Sequence, residues 1–225
     1  MLVKNWMSRP AITIDADAML SEAIKLLKQH KIHLLPVLEE DHIVGIVTEI
    51  DLRKAAGSDA SPVKHSDLEK PRPTTKIRDI MVKAPVTIPY NYTIEETAEL
   101  QLVHNISGVP VVDEQEKIVG VITKTDIFKY IITLAGARKK GVQLALELAD
   151  RPENVNEITE TIRDHGARIS NFLSTQRRAR NGYRKVYIHI NDIDRPTLLR
   201  LKEILKEKTN LLYIIDHMDM TREMF

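Results

Sequence analysis

The chain has 225 residues, no cysteine, and 33 Lys and Arg against 32 Asp and Glu. A net charge of +1 supplies no general field for nucleic acid, and the lack of cysteine excludes disulfides, thiol nucleophiles and cysteine-ligated zinc. No apolar run is long enough to span a bilayer and MLVKNWMSRP lacks the apolar core of a signal peptide, so a soluble, cytoplasmic protein with no membrane partner is expected.

The first predicted element is a short strand, Ile12 to Ile14, leading into an amphipathic helix with Leu20, Ile24 and Leu27 on one face. Two apolar strands, LLPVL and IVGIV, follow across the polar turn EEDH, a pattern that predicts an antiparallel hairpin. The helix Asp51 to Ala56 closes the unit, and SDASPVKHSDLEKPRPTTK, rich in Pro, Ser and charge, reads as a surface linker.

The same unit is then written again. A shift of 74 lays Met7 to Ile14 over Met81 to Ile88, Asp17 to Lys31 over Asn91 to Asn105, and His33 to Leu38 over Ser107 to Val112. One extra residue before the last strand makes the shift 75, which lays GIVTEID (Gly45 to Asp51) over GVITKTD (Gly120 to Asp126). The second copy has a strand at Val86 to Ile88 and a helix with Ile94, Ala98 and Leu102 on its expected face, started by a capping box of Thr93 and Glu96. The strands GVPVV and IVGVI and a helix from Asp126 to Ala135 complete it. A unit of about 55 residues is marginal as a lone core, and pairing two copies buries the remaining apolar face.

Packing explains a pair but not its shared polar residues. Thr48 with Asp51, and Thr123 with Asp126, stand at the mouth of a helix. A hydroxyl and free backbone N–H groups there suit a phosphate, a carboxylate accepts hydrogen bonds from a vicinal diol such as ribose, and apolar strands suit a base. The set fits an adenosine nucleotide. The competing reading makes the threonines N-caps and the aspartates complements of the helix dipole.

Residues 1 to about 135 resemble a pair of CBS (cystathionine-beta-synthase-type) domains, the Bateman module. The marks are Asp79-Ile80-Met81, the apolar-Pro-Val strand, and the G-apolar-apolar-T-x-x-D ending. The resemblance implies two clefts for AMP, ADP, ATP or S-adenosylmethionine as regulatory ligands, with no required cofactor and no catalysis. It assigns the ribose to Asp51 and Asp126 and the phosphate to Thr48 and Thr123. Base contacts would come from His33, Leu34, Leu35 and Pro36, from Ser107, Gly108, Val109 and Pro110, and from the strand starts near Thr13 and Thr87.

After a glycine-flanked basic stretch at 136–141 the pattern changes. Val142, Leu144, Leu146 and Leu148 alternate as in a half-buried strand, and Val155, Ile158 and Ile162 line a helix ending at Gly166. ARISNFLSTQ and YRKVYIHI flank Asn181-Gly182, a hairpin signal. Leu198, Leu201 and Leu205 mark another helix, and LLYIID a last strand. The order is βαββαβ, a ferredoxin-like unit. A strand ending in D-R-P before a helix resembles an ACT domain. That family carries Gly after this Pro, where Glu153 stands here, so pairing between subunits is expected rather than amino-acid binding. A CBS pair followed by an ACT-type domain resembles the acetoin-utilisation regulatory proteins of bacteria.

The remaining motifs read blandly. The 8 histidines are scattered without ligand spacing, so no metal site is expected. Arg177-Arg178-Ala179-Arg180 reads as a solvated loop, HMDMTREMF as a tail that could dock on a neighbour, and no catalytic triad stands out. The expected fold class is α+β, with CBS repeats at 1–57 and 77–135, a linker at 58–76, a hinge at 136–141, an ACT-like domain at 142–216 and a tail at 217–225. The function read from this is sensing of an adenosine ligand by a homodimer or higher homo-oligomer acting on its own C-terminal domain or on a regulated enzyme. Nucleic acid is not an expected partner. The alternative is a structural oligomerisation module that binds no ligand.

Overall fold

The computed structural model describes residues 1–56, 75–136 and 141–225. Most of the expected linker and hinge therefore lies outside the described residues. The chain divides into two compact units, Met1–Tyr130 and Ile131–Phe225.

In the first unit, a 3-10 turn at Val3–Asn5 precedes β1 (Ile14–Asp15), α1 (Leu20–His30), β2 (Leu34–Glu39), β3 (His42–Thr48) and α2 (Glu49–Ala55). The second copy has its own 3-10 turn at Ile77–Asp79, then β4 (Val82–Lys83), β5 (Ile88–Pro89), α3 (Ile94–Val103), β6 (Gly108–Val112), β7 (Ile118–Thr123) and α4 (Lys124–Leu134). In each copy the first strand lies parallel to the hairpin strand beside it, Ile14 opposite Val37 and Ile88 opposite Val111. The hairpins β2–β3 and β6–β7 are antiparallel, as the alternation of β-branched residues and polar turns predicts.

The two copies exchange their opening segments. β4 of the second copy pairs with β3 of the first, Gly45 opposite Lys83 and Ile46 opposite Val82, and Ile77 is fully buried in the first copy's core beside Leu20, Leu35 and Leu52. In return, Ser8 and Val121 trade backbone hydrogen bonds of 2.9 and 3.0 Å, and the Val3 N–H donates to the Tyr92 carbonyl at 2.8 Å. This exchange gives the repeated glycines a function. A Cβ on Gly120 would lie 2.9 Å from the Ser8 carbonyl oxygen and 2.6 Å from Met7 Sδ, and one on Gly45 would lie 3.1 Å from the Val82 carbonyl oxygen. Only glycine lets the crossing segment lie so close.

Helix α1 buries Leu20, Ala23, Ile24 and Leu27, the expected face. Helix α3 differs: it buries Ile94, Thr97 and Gln101 and leaves Leu102 76% exposed. Its start is fixed by the capping box at Thr93, whose hydroxyl accepts from the Glu96 N–H at 3.1 Å while the Glu96 carboxylate accepts from the Thr93 N–H at 2.8 Å. At about 100° per residue, Thr97 and Gln101 fall about 60° and 20° to one side of Ile94, whereas Leu102 falls about 80° to the other, past the edge of the buried face.

The second unit contains β8 (Val142–Ala149), α5 (Pro152–Asp164), β9 (Arg168–Thr175), β10 (Tyr183–Asn191), α6 (Arg195–Lys208), β11 (Asn210–Asp216) and β12 (Thr221–Met224). They form one antiparallel sheet in the order β12-β11-β8-β10-β9. Ile158 and Ile162 of α5 and Leu201 and Leu205 of α6 pack with Leu144, Leu146, Val186 and Ile188 into one core. Proline in the first turn of α5 and Asp194 capping α6, 2.8 Å from the Thr197 N–H, set the helix starts.

Two expectations change in this unit. β8 is central and buried on both faces, because Ala145 sits between Tyr187 and Tyr213 on its neighbours and Glu147 is 6% exposed. Residues 221–224 are a fifth strand along β11 rather than a tail, with Phe225 beneath the ammonium groups of Lys202 and Lys206. The arginine loop is exposed at Arg177, Arg178 and Arg180, as expected, and one of the three is anchored. Arg180 donates from its backbone N–H and its Nε to Glu147, at 3.1 and 2.6 Å, and stacks on Tyr183.

Candidate functional site

Each T-x-x-D pair sits where a hairpin strand turns into a helix, and each helix start is tied to the beginning of the partner strand. The Glu49 N–H donates to the His33 carbonyl at 3.0 Å, and the Lys124 N–H to the Ser107 carbonyl at 2.9 Å. The chain thereby carries His33 to the mouth of α2 and Ser107 to the mouth of α4.

Both aspartates turn back on their threonines. Asp51 Oδ2 accepts from the Thr48 N–H at 2.9 Å and from the Thr48 hydroxyl at 2.6 Å. Asp126 Oδ2 accepts from the Thr123 N–H at 3.0 Å and from its hydroxyl at 2.7 Å. In the first copy the Asp51 N–H also reaches the Thr48 hydroxyl at 3.4 Å, completing a capping box. The half of the box in which the carboxylate accepts from its threonine is therefore present in both copies. It uses one carboxylate oxygen; in Asp126 the other, Oδ1, accepts from Lys129 Nζ at 3.2 Å. Asp126 is buried at 5% exposure, and Asp51 is half-buried.

A cavity of about 370 Å3 opens beside Asp126, within the range of small-ligand sites. Its walls come from both copies: Ser8 and Pro10 to Ile12 with Lys31 to Leu34 from the first, and Ser107, Val121 and Thr123 to Asp126 with Lys129 from the second. Of the residues singled out in the sequence, it gathers Thr123, Asp126, His33, Leu34 and Ser107. Leu35, Pro36, Gly108, Val109 and Pro110 are buried in the hairpins, and Thr13 is half-buried outside the cavity lining. Thr48 and Asp51 stand at the other helix mouth. Thr87 lines a separate depression of about 270 Å3 with Pro85 and Val112.

The cavity's lysines and the Ser8–Ile12 wall were missed in the sequence. Lys124 and Lys129 flank Asp126 directly and were legible signals, whereas the Ser8–Ile12 wall arrives only through the exchange of opening segments. A larger depression of about 450 Å3 lies over α1 and α2, lined by Ile24, Leu27, Ile32 and Leu52 with Glu49. It contains neither T-x-x-D pair, so the Asp126 cavity is the better candidate. Glu49 at the rim is held below the usual carboxylate range by the Arg53 guanidinium and by His33, 2.9 Å away. Among the described residues no cluster of His, Asp and Glu is placed to hold a metal, and no helix is long and apolar enough to cross a membrane.

Repeat, exchanged arms and interrepeat cavity define a tandem-repeat architecture, and a family model for the CBS domain matches residues 3–58 and 77–133, half of the chain. The chain belongs to the CBS-domain family, as a CBS pair. It is 39% identical over 133 residues to a CBS domain-containing protein of Dictyostelium discoideum, a match covering 58% of this chain and 91% of that protein. It is 32% identical over 127 residues to L-aspartate semialdehyde sulfurtransferase of Methanocaldococcus jannaschii, covering 56% of this chain but 22% of the sulfurtransferase. Among solved structures, a CBS domain pair in complex with 5′-methylthioadenosine and S-adenosyl-L-methionine matches with a TM-score of 0.51 and 31% identity, covering 62% of this chain and 98% of that one.

Proposed function

We propose that this protein is a regulatory sensor of adenosine ligands, which bind between the CBS repeats and alter the behaviour of the C-terminal unit or of a partner enzyme. The observation that carries the reading is the buried Asp126 at the wall of a cavity built from both repeats. Thr123 donates to its Oδ2, and Oδ1, which pairs with Lys129 Nζ at 3.2 Å, is the oxygen assigned to a ribose diol; the phosphate role of Thr123 requires its hydroxyl to turn away from Asp126. The adenosine ligands of the similar CBS pair support the ligand class. Asp51 and Thr48 take the equivalent role at the second cleft. Base contacts are assigned to the strand starts at His33 and Ser107. The reading assigns no catalytic role to any residue.

The domain assignment that goes with it places repeats at 1–57 and 77–135 and an ACT-like, ferredoxin-type domain at 142–216. Its support is the βαββαβ order with the fourth strand beside the first and the third between the first and second. The proposed order of domains resembles that of acetoin-utilisation regulatory proteins, and a cytoplasmic regulatory role is proposed with it. Leu102 and Val103 on α3 and Phe128 on α4 are 76, 74 and 61% exposed, and the proposed homodimer would cover large apolar side chains of this kind. The test is equilibrium titration of nucleotide-free protein with AMP, ADP, ATP and S-adenosylmethionine, with sedimentation in parallel. Saturable binding lost in Asp126→Ala supports the sensor. A fixed oligomer that binds none of the four supports the assembly module instead.

A further inference from the structure

Three lysines line the Asp126 cavity, Lys31, Lys124 and Lys129, against one carboxylate, Asp126 itself, which pairs with Lys129 at 3.2 Å and leaves the cavity with a net positive charge from the other two. Two of these lysines occupy positions that local structure disfavours. Lys124 is the first residue of α4, where the positive end of the helix dipole opposes a cation. The first repeat has Glu49 at the same place, at the start of α2. Lys31 sits at φ 54°, in the left-handed region that suits Asn better than a long side chain. The second repeat has Asn105 there, at φ 51°. The repeat therefore shows that neither lysine is required to build the fold. Both depart from the better local choice, and both line the same cavity.

Resting on the adenosine reading above, we propose that the Asp126 cavity selects adenosine ligands carrying phosphate at the 5′ position over neutral or sulfonium-bearing adenosines. The ribose diol is common to AMP, ATP, 5′-methylthioadenosine and S-adenosylmethionine, so Asp126 does not separate them. The 5′ substituent does. A phosphate monoester or triphosphate is a polyanion that three ammonium groups attract, whereas a thioether gains nothing from them and a sulfonium is repelled. The corresponding positions around Asp51 carry Glu49, Asn105 and Lys54, so the same preference is not built into the first repeat's helix mouth.

The test is calorimetric titration of the nucleotide-free full chain in an Asp51→Asn background, so that the Asp126 cavity alone reports. AMP, ATP and 5′-methylthioadenosine are compared at low and high salt, with and without Lys31→Asn, Lys124→Gln and Lys129→Gln combined. The expected result is AMP and ATP binding tighter than 5′-methylthioadenosine by about tenfold or more, with the gap narrowing at high salt and collapsing in the lysine variant. If that variant fails to fold, Lys124→Glu, which copies the first repeat, must narrow the gap. Equal affinity for 5′-methylthioadenosine and AMP, or a gap indifferent to the lysines, overturns the phosphate preference while leaving adenosine binding standing. Binding of none of the three removes the adenosine reading and this inference with it.

Discussion

Thr123 gives Asp126 two hydrogen bonds to a single oxygen, one from its backbone N–H at 3.0 Å and one from its hydroxyl at 2.7 Å. Starting the helix and presenting a carboxylate to the cavity are thus done by the same pair. Capping alone does not need a cavity, and Thr93 with Glu96 offers the control, because that box caps α3 away from the Asp126 cavity. Thr93→Ala is expected to cost about 1 kcal/mol of stability with ligand affinity unchanged. Thr123→Ala is expected to lower stability and weaken ligand binding together. Denaturant unfolding and titration on both variants separate the two roles, and equal affinity in the two would reduce Thr123 to a cap.

Gly120 lets the first repeat's opening segment cross the second repeat's hairpin. Gly120→Ala places a methyl group 2.9 Å from the Ser8 carbonyl oxygen, where backbone rather than a flexible side-chain end must yield. A loss of about 1–3 kcal/mol is expected, seen as a lower urea midpoint of Trp6 fluorescence. Ser8 and Pro10 also line the cavity, so the same variant should bind ligand more weakly.

Gln101 is 1% exposed, its Nε2 donates to the Ile122 carbonyl at 3.3 Å, and its Oε1 has no partner among the described residues. Leu27 holds the same place in the first repeat. Gln101→Leu should stabilise the protein by about 1 kcal/mol by removing an unsatisfied buried oxygen, raising the melting temperature by about 2–4 °C. A lower melting temperature would mean that the bond to Ile122 outweighs the stranded oxygen.

In the C-terminal unit, the backbone N–H of Arg180, followed by its guanidinium and Asn210, holds the Glu147 carboxyl below the usual range. A depressed carboxylate contributes stability above its unfolded pKa, and the contribution is lost as pH falls through the folded value. Melting temperatures measured from pH 7 down to pH 3 should therefore fall less steeply in Glu147→Gln than in the parent. Parallel curves would remove Glu147 from the acid sensitivity.

The repeated unit, its hairpins and the Thr93 capping box were legible because each depends on residues close in sequence. The face of α3 was partly legible: the repeat alignment places Gln101 at the position of Leu27, but a polar residue suggested the surface and Leu102 the core. Burial of Thr97 is permitted because its hydroxyl finds the Thr93 carbonyl at 2.8 Å. The exchange of opening segments was hidden, since Ser8 meets Val121 and Ile46 meets Val82 through long-range pairings with no local signature. That exchange is also why the cavity draws its walls from both copies, and why Asp126 was identified while Ser8 and Pro10 were not. The edge strand at 221–224 escaped notice because its residues are all exposed, leaving no apolar alternation to read.

The most direct test is titration of nucleotide-free protein with AMP, ADP, ATP and S-adenosylmethionine, repeated on Asp126→Ala. The sensor account predicts saturable binding of at least one of these ligands, weakened about tenfold or more in the variant by loss of charge-assisted hydrogen bonds. Wild-type affinity in Asp126→Ala would contradict the assigned role of this cavity, and no binding of any of the four would contradict the sensor itself.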